Sequence, residues 1–124
     1  MQKKSYPKDK KIILWILQII VSIILIQTLF FKFLGLEESV QIFSALGIEP
    51  WGRYLTGILE LIASMLLLSW RFSLLGAIIT SIVMIGAIVS HITILGINNL
   101  FYLAVTTFIL SLVIIYLRRK EFKN

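Results

Sequence analysis

The chain has no cysteine and a single histidine. The first absence excludes disulfides, thiol redox chemistry, iron–sulfur clusters and thiolate metal sites within this chain. The second weighs against a zinc site and against a haem held by two histidines of one subunit. The sequence contains no motif for intrinsic NAD, flavin or metal binding. Charge is also scarce, since only 15% of the 124 residues are Asp, Glu, Lys or Arg, against about a quarter in a soluble domain. Internal repeats and low-complexity segments are missing too.

What remains is apolar. Hydrophobic residues make up 59% of the chain and the mean hydropathy is +0.98. The excess is gathered in blocks, which a greasy globular core does not require. At about 20 apolar residues per crossing, the chain has room for roughly four or five spans and none for a soluble catalytic module. The net charge of +6 lies mostly at the two ends. Lys3, Lys4, Lys8, Lys10 and Lys11 precede the first apolar run; Arg118, Arg119, Lys120 and Lys123 follow the last. Flanking clusters of this kind set topology and contact anionic lipid heads. A basic surface interleaved with aromatics is missing, so nucleic acid is not an expected partner.

The pattern predicts an all-α, polytopic membrane protein: a four-transmembrane-helix antiparallel bundle with spans at about 12–34, 51–70, 72–95 and 100–117. Residues 1–11 and 118–124 form basic cytoplasmic tails, the first expected to be largely disordered. The run at 12–31 is too long for a signal core and has no small-residue cleavage pattern after it, so it reads as a retained helix. Residues 35–50 read as a short amphipathic helix on the outer face. Glu37 and Glu38 suit its first turn, Leu36, Val40, Phe43 and Leu46 its apolar face, and Gly47 and Pro50 its end. Small residues along spans two and three, among them Gly57, Ala63, Gly76 and Ala77, favour close helix packing in lipid.

Orientation follows from charge. With the N-terminus inside, ten of the twelve Lys and Arg fall on the cytoplasmic side, leaving Lys32 and Arg53 near the outer face. An even number of crossings then places both termini in the cytoplasm, and the lipid bilayer of the cell membrane is the expected surrounding.

Three ionisable side chains interrupt the spans: Lys32, Glu60 and His91. A charge at the centre of a lone membrane helix costs about 2.5–3.5 kcal/mol on the insertion scale. Lys32 lies two residues from the outward end of its span. From the helical rise, Glu60 lies roughly 9 Å and His91 about 6 Å below the outer interface. A cation, an acid and an imidazole thus share one outer-leaflet depth. Arg53, Thr56, Glu60 and Ser64 share a face of span two, and Gln27 lies more than a turn below Lys32, so these form a supporting polar face. The cluster admits two readings: an intramembrane ligand or proton-exchange site, or a structural ion pair with Lys32 snorkelling toward the interface.

At these residues the sequence resembles the DoxX-like family of small four-helix integral membrane proteins. The likeness rests on three ordered stretches: Leu29-Phe30-Phe31-Lys32-Phe33; Phe43-Ser44-Ala45-Leu46-Gly47-Ile48-Glu49-Pro50 with Tyr54-Leu55-Thr56-Gly57-Ile58-Leu59-Glu60-Leu61; and Ala87-Ile88-Val89-Ser90-His91. The resemblance implies membrane location and, for some members, a part in thiosulfate:quinone oxidoreductase or in oxidative-stress complexes. Without cysteine to handle sulfur, thiosulfate oxidation does not carry over. The expected function is a redox-associated subunit binding a quinone or another small amphiphile near Lys32, Glu60 and His91. Glu60 and His91 would exchange protons with the headgroup, and Lys32 would stabilise negative charge on an oxygen. The alternatives are a non-catalytic assembly or stabilising subunit and a small-solute transporter acting as a dimer. Expected partners are a membrane or peripheral redox protein and a second copy of the chain.

Overall fold

A computed structural model describes residues 6–120; residues 1–5 and 121–124, with Lys3, Lys4 and Lys123 of the expected basic ends, lie outside the described residues. Regular structure among the described residues is entirely helical. The elements are α1 (Lys8–Phe33), α2 (Glu37–Ala45), α3 (Trp51–Leu67), α4 (Ser73–Ser90) with a π-helical turn at His91–Leu95, and α5 (Asn99–Leu117). Among the described residues three stretches are long and apolar enough to cross a membrane: Lys8–Phe33, Ser73–Leu95 and Asn99–Leu117. At 17 residues, α3 is shorter than the roughly 20 that a straight crossing takes.

Helix α1 starts about a turn before the expected boundary, so Lys8 to Lys11 are helical and not part of a loose tail. Pro7 tolerates a position beside the first turn and Asp9 complements the helix dipole there. The buried Tyr6 ring packs edge-on against Trp70 at 6.0 Å, which anchors the start of the helix. At the other boundary, α3 ends at Leu67, not at 70. Its last carbonyl, that of Leu67, accepts from Gln18 Nε2 at 2.9 Å, and in the turn that follows the Trp70 carbonyl accepts from Arg118 Nη2 at 2.9 Å.

Helices α1, α3, α4 and α5 pack in a ring, each against the next, with α5 closing on α1. Leu14, Val21, Leu25, Ala63, Leu67, Ala77, Met84, Ala104 and Ile114 form its core. Large apolar side chains such as Ile16, Ile23, Met65, Ile82 and Ile109 remain outside. That inside-out arrangement suits lipid, where apolar surface has no reason to hide. Serine and threonine inside the ring bond their own helices: Thr80 Oγ1 donates to Gly76 O and Ser111 Oγ to Thr107 O.

Helix α2 lies across one end of the ring, against α1, α3 and the π-turn. Left-handed glycines bound it on both sides, Gly35 at φ +65° and Gly47 at φ +76°. Each closes a helix: Leu36 N–H donates back to Phe31 O, and Ile48 N–H to Phe43 O. The inward face is broader than the expected one. Leu36, Phe43 and Leu46 line it as expected, although Leu36 stays exposed; Val40 does not, and Ser39 and Ile42 do. Hydrophobicity alone missed Ser39, a polar residue on the inward side.

Close approach of α3 and α4 depends on Gly76. A Cβ there would stand 2.9 Å from both Ala63 O and Leu67 N, which are backbone atoms with no rotamer to yield. Gly76→Ala is expected to lower stability by about 1–3 kcal/mol despite the better helix propensity of alanine. Detergent unfolding followed by circular dichroism checks it; an unchanged midpoint would contradict the close-packing account.

Candidate functional site

A cavity of about 700 Å³ lies inside the α2 end of the helix ring. That volume falls within the roughly 300–1,000 Å³ of typical small-molecule sites. Helix α2 roofs it with Ser39, Ile42 and Phe43; Leu25, Met84, Ala104 and Thr107 line its deeper part. Most of its surface is apolar. Lys32, Glu60 and His91 all line it, although they come from α1, α3 and the end of α4. The depth coincidence in the sequence is therefore a spatial meeting.

The three side chains are held differently. Lys32 Nζ stands 3.0 Å from Glu60 Oε1, tying α1 to α3. The Glu60 side chain is 3% exposed and that of Lys32 is 16% exposed, so the carboxylate is the deeper partner. Although the two charges touch, the contact is not aligned as a hydrogen bond at Oε1, and Thr28 is a further hydrogen-bonding neighbour of the carboxyl group. Oε1 is compensated by charge and left unsatisfied in direction. Such an acceptor, buried at a cavity wall, has capacity for a donor from outside the chain.

His91 opens the π-turn. Its carbonyl accepts from the Gly96 N–H at 2.7 Å, and its Nδ1 stands 3.1 Å from the Gly96 carbonyl. A carbonyl only accepts, so Nδ1 is the protonated nitrogen of this contact. In the neutral imidazole Nε2 then carries the lone pair. Gly96 takes φ +87°, turning the chain back so that its carbonyl meets the ring. Phe101 holds the ring edge-on at 6.1 Å. Single π-turns of this kind recur at functional sites because they swing one residue out of α-helical register.

The supporting polar face divides. Gln27 and Thr56 line the cavity, whereas Arg53 and Ser64 do not. Arg53 lies above it, bonding the Glu49 carboxylate at 2.7 and 3.0 Å and donating to the Lys32 carbonyl. Its hydrogen bond holds the Glu49 carboxyl below the usual carboxylate range. Ser64 donates to Leu61 O, and its own carbonyl accepts from Ser22 Oγ, so it packs against α1. Ser64 lies one turn, roughly 6 Å, beyond Glu60 along α3, at the Ser22 contact with α1 and not on the cavity wall.

Two features carry little signal in the sequence. Gly86 lines the cavity, and a Cβ added there meets nothing within 4 Å. At the opposite end of the ring lies a second polar cluster. Arg118, read from sequence as the first residue of a basic tail, is 2% exposed. It donates to Gln18 Oε1 at 3.0 Å, to Ser73 Oγ and to the Trp70 carbonyl, and it stacks over the Trp70 ring at 4.2 Å. The available signal was Gln18, which shares the inward stripe of Leu14, Val21 and Leu25 and needs a partner there.

Among the described residues no group of three or more His, Cys, Asp or Glu is placed to hold a metal ion. In comparisons with known proteins, the model of the DoxX-like family matches residues 16–115, which takes in all of the cavity-lining residues. No curated protein and no solved structure matches the chain significantly.

Proposed function

The chain belongs to the DoxX-like family, and from that membership and the cavity we propose a multi-pass membrane protein that binds a small amphiphile such as a quinone. Its place is a redox-associated subunit of the cell membrane. In this reading α3 is a fourth, slightly short crossing, both termini are cytoplasmic, and α2 lies at the outer surface. The cation count and the Arg118–Arg119–Lys120 run support that orientation. A membrane-bound or peripheral redox partner completes the assembly, and a homo-oligomer is compatible with the apolar outer faces.

One observation carries the ligand reading: Glu60, a buried carboxylate with an unaligned oxygen, lines the same cavity as His91. A purely structural pair has no need of an adjoining space of this size. A quinone supplies paired electron and proton transfer when bound. The chain's own part is to seat the headgroup, with Glu60 and His91 Nε2 as proton acceptors and Lys32 Nζ as the donor beside an oxygen. The apolar walls keep bulk water from the exchange.

The contrary reading, an assembly subunit whose ion pair only locks α1 to α3, is favoured by the 3.0 Å contact itself. Glu60→Gln and His91→Gln separate the two. Both variants are expected to stay folded and to lose bound amphiphile, measured by mass spectrometry of lipid extracts. Retained amphiphile with lowered stability or partner recovery would favour assembly.

A further inference from the structure

Two buried acceptors line the cavity, together with the exposed Gln27, whose amide both donates and accepts. Glu60 Oε1 is a buried acceptor without an aligned donor. His91 commits Nδ1 to the Gly96 carbonyl, so the neutral imidazole offers Nε2 as an acceptor. Lys32 and Glu60 neutralise each other across 3.0 Å, and the other charged residue of the lining, Glu38, is exposed on α2.

Resting on the ligand-binding reading above, we propose that this cavity selects an uncharged amphiphile whose head carries a hydroxyl group, phenolic or alcoholic. A hydroxyl donates to Glu60 or His91 and accepts from Lys32 with its oxygen. A carboxylate head brings no donor and places a second negative charge beside Glu60. An ammonium head donates, but crowds Lys32. An ether accepts from Lys32 and leaves both acceptors unmet, the arrangement by which a site built for a hydroxyl rejects its absence; of a quinone couple it is the reduced quinol, with its hydroxyls, that meets this pattern. The tail occupies the apolar depth among Leu25, Met84, Ala104 and Thr107.

The test uses the full chain in lipid nanodiscs and four probes with one tail: para-hexylphenol, its methyl ether, para-hexylbenzoate and para-hexylbenzylammonium. Equilibrium dialysis measures each, and Gly86→Leu supplies the background of partition into lipid. Gly86 is on the cavity lining, and leucine there meets no clash at Cβ and improves helix propensity. Circular dichroism and gel filtration verify that it folds, and Gly86→Met serves if it does not. The expected result is saturable phenol binding to the wild type beyond the blocked variant. The ether is expected to bind about tenfold weaker or worse, with no specific binding of either charged probe. Binding of the ether or a charged probe within about threefold of the phenol would overturn the hydroxyl assignment and leave the cavity as a ligand site. If no probe distinguishes the wild type from the blocked variant, the ligand-binding reading falls and the hydroxyl assignment with it.

Discussion

Replacing Lys32 with methionine is expected to destabilise the protein by about 3–5 kcal/mol, because it leaves Glu60 as a buried charge with no counter-charge. Methionine keeps most of the volume, so packing changes little and the loss is electrostatic. The two members of the pair are not equivalent. Glu60 is 3% exposed and lies on the inner side of the ring, whereas Lys32 is 16% exposed and lies at the end of α1. Removing the acid therefore leaves a lysine that can extend toward the interface, and Glu60→Gln is expected to lose less than half as much. The double variant Lys32→Met with Glu60→Gln should recover most of the loss, since no unpaired charge remains. Unfolding in detergent followed by circular dichroism measures all three. Equal losses from the two single variants, or a double variant no better than Lys32→Met, would contradict this account of the pair.

The second large effect is expected at the other end of the ring. Arg118 fastens α5 to α1, to α4 and to the turn after α3 through Gln18, Ser73 and Trp70. Arg118→Met would leave the Gln18 and Trp70 oxygens without this donor in a place water scarcely reaches. Each buried acceptor left unmet costs about 1–3 kcal/mol, so a combined loss of about 3–5 kcal/mol is expected. Lysine is a poor substitute: its ammonium lacks the planar fork that reaches three acceptors while stacking on an indole. Arg118→Lys should restore less than half of the loss. The neighbouring Arg119 is exposed, and Arg119→Met should fall within about 0.5 kcal/mol of the parent protein. Similar effects at the two arginines would show that both act only through topology.

These two arginines also mark how far the sequence could be read. Long apolar blocks made the membrane class and the helical fold legible, because the bilayer demands satisfied backbone and few charges. Lys32, Glu60 and His91 stood out because an ionisable group in such a block is conspicuous whatever its partners. Arg118 did not, since it sits in a basic run where a solvated anchor is the ordinary expectation. Only its burial against Trp70 and Gln18 sets it apart, and burial is a tertiary property. Likewise Arg53 shares the Glu60 face by spacing, yet the Glu49 carboxylate four residues before it draws the guanidinium above the cavity. The π-turn at His91–Leu95 depends on the left-handed Gly96 meeting the imidazole, which helical periodicity does not reveal. Gly86 read as one small packing residue among several; its place on the cavity wall follows from how the helices splay.

The most direct measurement of the central claim, that the space beside Lys32, Glu60 and His91 is a ligand site, is mass spectrometry of protein purified gently from its native membranes. Wild type and Gly86→Leu would be processed side by side at equal yield. The account predicts a small amphiphile enriched over bulk lipid with the wild type and absent from the folded, blocked variant. Identical extracts carrying only bulk lipid from both proteins would contradict it, and would leave the ion pair as a tie between helices.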